Sequence, residues 1–165
     1  LPTMAVSAGI SNSDAALLAS IFSLISIPFS MTVPSLTTRL SDGHRRIMLA
    51  IISIAGMTGI AMLLYPSSSF LYWLVAHLLI GTACSALFPY LMVCFSLKTS
   101  SPEKTAQLSG LAQTGGYILA AFGPTLFGYS FELFQSWIPA VLSLLVIDII
   151  ITVSLFMVDR ADKIL

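Results

Sequence analysis

Between Arg46 and Lys98 the sequence runs for 51 residues without a single Lys, Arg, Asp or Glu. A single helix of that length would measure about 75 Å, against a hydrocarbon core of roughly 30 Å, so the stretch has to fold back on itself. Tyr65-Pro66-Ser67-Ser68-Ser69 is the natural place for the reversal. Shorter uncharged runs, Ala15–Thr38 and Thr105–Phe131, lie on either side. Seven basic and seven acidic residues are all the formal charge in 165 residues, or 8 %, where soluble domains carry about 25 %. Hydrophobic residues make up 57 %, and the mean hydropathy is +0.97. A soluble domain of this size leaves about a third of its unfolded surface in water and needs far more polar side chains to cover it. The composition equally excludes disorder. Zero net charge with no basic stripe excludes a nucleic-acid binder. What remains is an all-α, polytopic transmembrane bundle.

Polar punctuation divides the chain into five expected spans, at about 15–36, 47–64, 70–96, 106–129 and 136–158, in one transmembrane bundle over 1–165. Leu1 to Ala8 is apolar but too short to cross. Gly9 to Asp14 reads as a turn with Ser13 or Asp14 capping the first span, and Asp42-Gly43 as a second tight turn. Pro28, Pro34 and Pro89 fall within spans, where neighbouring groups can re-satisfy the freed carbonyls. Cys84 and Cys94 lie inside apolar segments with no metal-ligand spacing and read as small packing residues. No basic n-region precedes the first apolar stretch, and a start at Leu1-Pro2-Thr3 reads as a piece of a longer chain.

Five alternating spans put Arg39, Arg45, Arg46, Lys98, Lys104, Arg160 and Lys163 on one side, and only Asp14 and Glu132 in the opposite loops. The positive-inside rule makes the basic side and the C-terminus cytoplasmic, in a multi-pass protein of the cell membrane. Tyr65, Tyr72, Trp73, Tyr129 and Trp137 gather toward the outer ends as an interfacial belt.

Polar residues inside spans are the functional candidates. Ser20, Ser23, Ser26 and Ser30 form one stripe, either a small-residue packing seam or a wet face turned to a cavity. Gln113 and Tyr117 share a face among Gly110, Gly115 and Gly116 and bind either a neighbouring helix or a solute. His77 is a proton relay or a hydrogen-bonded interior histidine, and Tyr90, beside Pro89, is a cavity-lining candidate. Asp148, alone at mid-membrane depth, is a coupling acid or a structural one. A single carboxylate without a nucleophile, triad or metal cluster offers no enzyme chemistry, and the reading implies neither a catalytic residue nor a cofactor or metal.

The stretch Leu108-Ser109-Gly110-Leu111-Ala112-Gln113-Thr114-Gly115-Gly116-Tyr117, with Ala121-Phe122-Gly123-Pro124 and Gly128, resembles the eleventh helix of major facilitator superfamily transporters. More narrowly it is similar to the bacterial cyanate and 2-nitroimidazole transporter-type subfamily. Leu1-Pro2-Thr3 resembles the end of helix seven, Gly81 to Pro89 the tenth helix, and Arg39 to Arg46 the basic loop between eight and nine, although Asp42 follows Arg39 rather than preceding it. The resemblance implies the C-terminal half of such a fold, the end of helix seven plus helices eight to twelve, with the N-terminal half of the same transporter as its missing partner. It implies secondary active transport of a small polar or anionic solute by alternating access, driven by a proton or co-transported ion. It places Ser23, Ser26, His77, Tyr90, Gln113 and Tyr117 toward the cavity and Asp148 on a peripheral helix. The alternative is a non-transporting integral membrane assembly or scaffold subunit.

Overall fold

Polar residues between the apolar runs start and stop the helices. The computed structural model describes residues 1–65 and 67–162 and contains a short helix α1 (Pro2–Ser7) followed by α2 (Asn12–Arg39), α3 (Asp42–Met62), α4 (Phe70–Lys98), α5 (Pro102–Phe134) and α6 (Ile138–Arg160). Pro66 of the expected reversal and Lys163 of the tail lie outside the described residues. The five long helices fall on the five expected spans but mostly run past them, because the caps sit in polar collars rather than at the edge of the apolar window.

The first cap is Ser11, not Ser13 or Asp14. Its hydroxyl accepts from the Asp14 backbone N–H at 3.1 Å and donates to the Asp14 carboxylate at 2.8 Å, so Asp14 occupies the third helical position of a capping arrangement. Asp42-Gly43 does not make a turn either. Asp42 opens α3 and pairs with Arg45 one turn on, leaving Leu40-Ser41 as the whole connection. Ser101 caps α5 from ahead of Pro102, where a missing N–H does no harm. At its other end α5 stops on Gln135 in a left-handed conformation (φ 50°).

Four helices, α2, α3, α4 and α6, are long and apolar enough to cross a membrane, which makes the chain a multi-pass membrane bundle. The fourth expected span, 106–129, lies in α5, the longest helix at 33 residues, which is not among those four.

Apolar side chains gain little by leaving lipid for a helix interface, so close contact rests on small residues. In this bundle α4 is the hub, packed by α2, α3, α5 and α6. A Cβ at Gly59 of α3 would stand 2.8 Å from Ile80 Cγ1 and 3.1 Å from the Ile80 backbone nitrogen. Gly81 lets Phe22 and Ile25 of α2 approach α4 in the same way. Two core clusters result. Met4, Leu18, Trp73 and Val141 fill the end nearer α1, and Val33, Leu49, Tyr90 and Leu155 fill the basic end. Trp73 is buried rather than part of an interfacial belt, and its indole N–H donates to the Ser67 carbonyl.

Candidate functional site

The charged end of the bundle is tied together by Asp159. Its buried carboxylate accepts from Arg45 Nε at 2.5 Å, Arg46 Nε at 2.9 Å and the Tyr90 hydroxyl at 3.0 Å, joining α3, α4 and α6. Lys98 adds a bond to the Ala161 carbonyl. Six basic residues thus share one end of the bundle, with Asp14 and Glu132 at the other. The Asp159 cluster did not figure among the sequence candidates. Its signal was the placement of loop 39–46 and the tail on the same side, which puts an acid among three arginines.

The sequence candidates divide between the interior and bare faces. Tyr90 is fully buried, with its hydroxyl bound to Asp159. His77 is buried between Trp73 and Phe22, whose ring meets it edge-on at 6.3 Å. Its Nδ1 donates to the Trp73 carbonyl at 2.8 Å, which leaves Nε2 as a lone-pair acceptor, buried without a partner among the described residues. On α2, Ser23 is exposed and Ser26 half-buried. Both donate back to the carbonyl four residues earlier, as Ser20 does, so the stripe needs no neighbouring helix to satisfy its hydroxyls.

On α5 no residue is buried, and added Cβ atoms at Gly110, Gly115, Gly116, Gly123 and Gly128 would meet nothing within 4 Å. Ala112, Gly116 and Ala120 recur every fourth residue and, with Gln113 and Tyr117, line a groove of about 270 Å³ against Phe88, Leu91 and Met92 of α4. Gln113 donates to the Met92 sulfur at 3.5 Å, and Tyr117 is 66 % exposed. The helices α2 and α5 flank α4 without substantial packing on each other among the described residues. Gln113 and Tyr117 therefore come together in one groove, whereas the α2 serines lie on a separate face. Asp148 belongs to neither: it is 8 % exposed, in the seam between α3, α4 and α6. Among the described residues no group of three or more His, Cys, Asp or Glu is placed to hold a metal ion.

Comparison with known proteins gives one family. The family model described as Major Facilitator Superfamily matches residues 1–164. An uncharacterized transporter of Bacillus subtilis (strain 168) is 30 % identical over 138 residues, covering 82 % of this chain and 33 % of the relative. A 2-nitroimidazole transporter of Escherichia coli (strain K12) is 29 % identical over 150 residues, 88 % of this chain and 37 % of the relative. The chain thus spans about a third of the length of these two relatives. No solved structure gives a significant match.

Proposed function

Because the chain belongs to the major facilitator superfamily, whose members carry out secondary transport rather than enzymatic reactions, we propose that it is the C-terminal half of a transporter that moves a small polar or anionic solute by alternating access. In this reading α1 is the end of helix seven and α2 to α6 are helices eight to twelve. The basic end and the C-terminus face the cytoplasm, and α5 crosses the membrane with the other four.

The observation that carries the reading is α5 itself. A helix of 33 residues with no buried side chain and five unobstructed glycines is not finished by this bundle. Its polar Gln113 and Tyr117 are too expensive to leave facing hydrocarbon, so they belong beside a solute cavity closed by the rest of the transporter. The stripe of α2 serves the same cavity through Ser23 and Ser26, whose hydroxyls keep acceptor lone pairs after bonding to their own helix. Gln113 holds only a thioether, a weak acceptor, and keeps its amide available. His77 and Tyr90 act from behind, holding α4 in place. The name of the Escherichia coli relative, a 2-nitroimidazole transporter, fits a small polar solute. Within the spans among the described residues no Arg or Lys is free to meet an anion, so a counter-charge would come from the other half.

Uptake into proteoliposomes by the full-length protein, with 2-nitroimidazole and small organic anions as probes, tests this reading. Gln113→Ala with Tyr117→Ala should lower uptake at least about tenfold, the equivalent of two ordinary hydrogen bonds. Unchanged uptake by that double variant would remove both residues from the pathway.

A further inference from the structure

Beside the α4–α5 groove, across Phe88 and Leu91 that line both, lies a cavity of about 360 Å³ between α3, α4 and α6. Its walls are apolar except for the Asp148 carboxyl and the Cys84 thiol. Asp148 Oδ2 is buried without a partner among the described residues, and the same is true of Ser53 Oγ on α3 and Thr152 Oγ1 on α6. These two hydroxyls break a local habit. Thr37, Thr58 and Ser85 all donate to the carbonyl four residues earlier in their own helices, as the α2 serines do.

Of the three orphan oxygens only that of Asp148 lines the cavity. Helices α3 and α6 run antiparallel, with Arg45 on Asp159 and Gly56 opposite Asp148. That register puts Ser53 of α3 opposite Ile151 of α6, about one turn from the carboxyl. A Cβ at Gly56 would stand 3.5 and 3.9 Å from the two Asp148 oxygens and 2.8 Å from Ala83 Cβ, so the glycine keeps the front of the carboxyl open. No basic residue lines the cavity. Helix α3 brings no titratable group to it, α4 brings only Cys84, and α6 only Asp148 itself. Tyr117 of α5 lines the neighbouring groove, and Arg45 and Arg46 are held by Asp159, roughly 16 Å along the helices. An oxygen-bound metal cation takes about six or more ligands, far more than the two carboxylate oxygens that line this cavity, whereas a proton needs one. Water has room here and would find two polar partners, the Asp148 carboxyl and the Cys84 thiol.

We propose that Asp148 is a reversible proton-binding site, reached by water through this side cavity. The carboxylate accepts one proton from hydronium, releasing water, and gives it back to water, regenerating hydronium, as the pH rises. That this proton drives solute movement rests on the transport reading; the site itself does not.

The test uses the full-length protein in liposomes, treated with dicyclohexylcarbodiimide, whose coupling begins with protonation by a carboxylic acid in apolar surroundings. Peptide mapping should find the adduct on Asp148 and not on the ion-paired Asp159. Its rate should fall about tenfold per pH unit once the proton is lost. An unmodified Asp148, or a rate that ignores pH, would overturn the site. Protection by sodium at constant pH would overturn it in favour of a metal cation. In the second arm, Asp148→Asn should abolish accumulation driven by a pH gradient while keeping solute exchange, and Asp148→Glu should restore accumulation. Gradient-driven accumulation by Asp148→Asn equal to wild type would overturn the coupling role. If the asparagine variant fails to fold, labelling of the wild type still decides the site. If the wild type moves none of the probe solutes, the transport reading fails for them while the labelling result stands.

Discussion

Replacing Asp159 with alanine is expected to be the most damaging single change at the basic end of the bundle. The carboxylate is fully enclosed and holds three donors at once. Arg45, with 8 % of its side chain exposed, would keep only the exposed Asp42 as a partner. Removing one member of a buried ion pair in this way costs about 3–5 kcal/mol. The enclosed Tyr90 hydroxyl would also lose its acceptor, at about 1–3 kcal/mol. Arg46, 37 % exposed, regains water and contributes no more than about 1 kcal/mol. These contributions overlap because the groups share one acceptor, so a total of about 4 kcal/mol is expected, close to a thousandfold in the folding equilibrium. Arg45→Ala should cost about 2–3 kcal/mol, since Asp159 keeps two of its donors, and Arg46→Ala about 1 kcal/mol or less. Denaturant titration of the full-length protein in detergent, followed by tryptophan fluorescence, reads all three. The Arg45→Ala/Asp159→Ala double variant should lose less than the sum of the singles. An Asp159→Ala loss below about 1 kcal/mol, or Arg46→Ala worse than Arg45→Ala, would refute the account of a buried, shared carboxylate.

Other positions give sharper contrasts. Gly59→Ala should destabilise by about 1–3 kcal/mol in the same titration, because the new methyl meets the Ile80 backbone, which cannot step aside. Gly110→Ala meets nothing within this chain, so any loss of stability in the full-length protein would reveal a partner surface on α5. Gln135→Gly should stabilise by about 1 kcal/mol by relieving the left-handed backbone at the end of α5, a gain that thermal unfolding would detect. Trp73→Phe removes the bond to the Ser67 carbonyl and should cost about 1 kcal/mol, with faster amide exchange in the loop before α4 as the local readout.

The helices were legible because uncharged runs have to be spans, and an interruption as polar as Ser41 to Arg46 cannot sit in hydrocarbon. Their ends were less so. Asp42-Gly43 has the composition of a turn, yet aspartate also favours the first turn of a helix, and the pairing with Arg45 decides for α3. The belt reading of Trp73 failed for a related reason: composition shows depth in the membrane but not which way a side chain faces around the helix. Tyr90 illustrates the limit at the site. Its position beside Pro89 was visible, but its partner Asp159 lies 69 residues away and becomes a neighbour only when α4 and α6 pack. The groove of Gln113 and Tyr117 was the easier inference, since residues four apart on a helix share a face whatever surrounds them.

The common register of α3 and α6 has a mechanical consequence. The two are tied by the Arg45 and Arg46 bonds to Asp159 and packed against each other. Helix α3 has no proline, and the one in α6, Pro139, lies in its first turn. By contrast α2 carries Pro28 and Pro34, α4 carries Pro89, and α5 carries Pro124 among its glycines. Bending in a helix concentrates at such residues. The bundle is therefore a stiff strut with jointed rods beside it: labels at the two ends of the α3–α6 pair should hold one spacing through a working cycle, while spacings across Pro28 and Pro124 change.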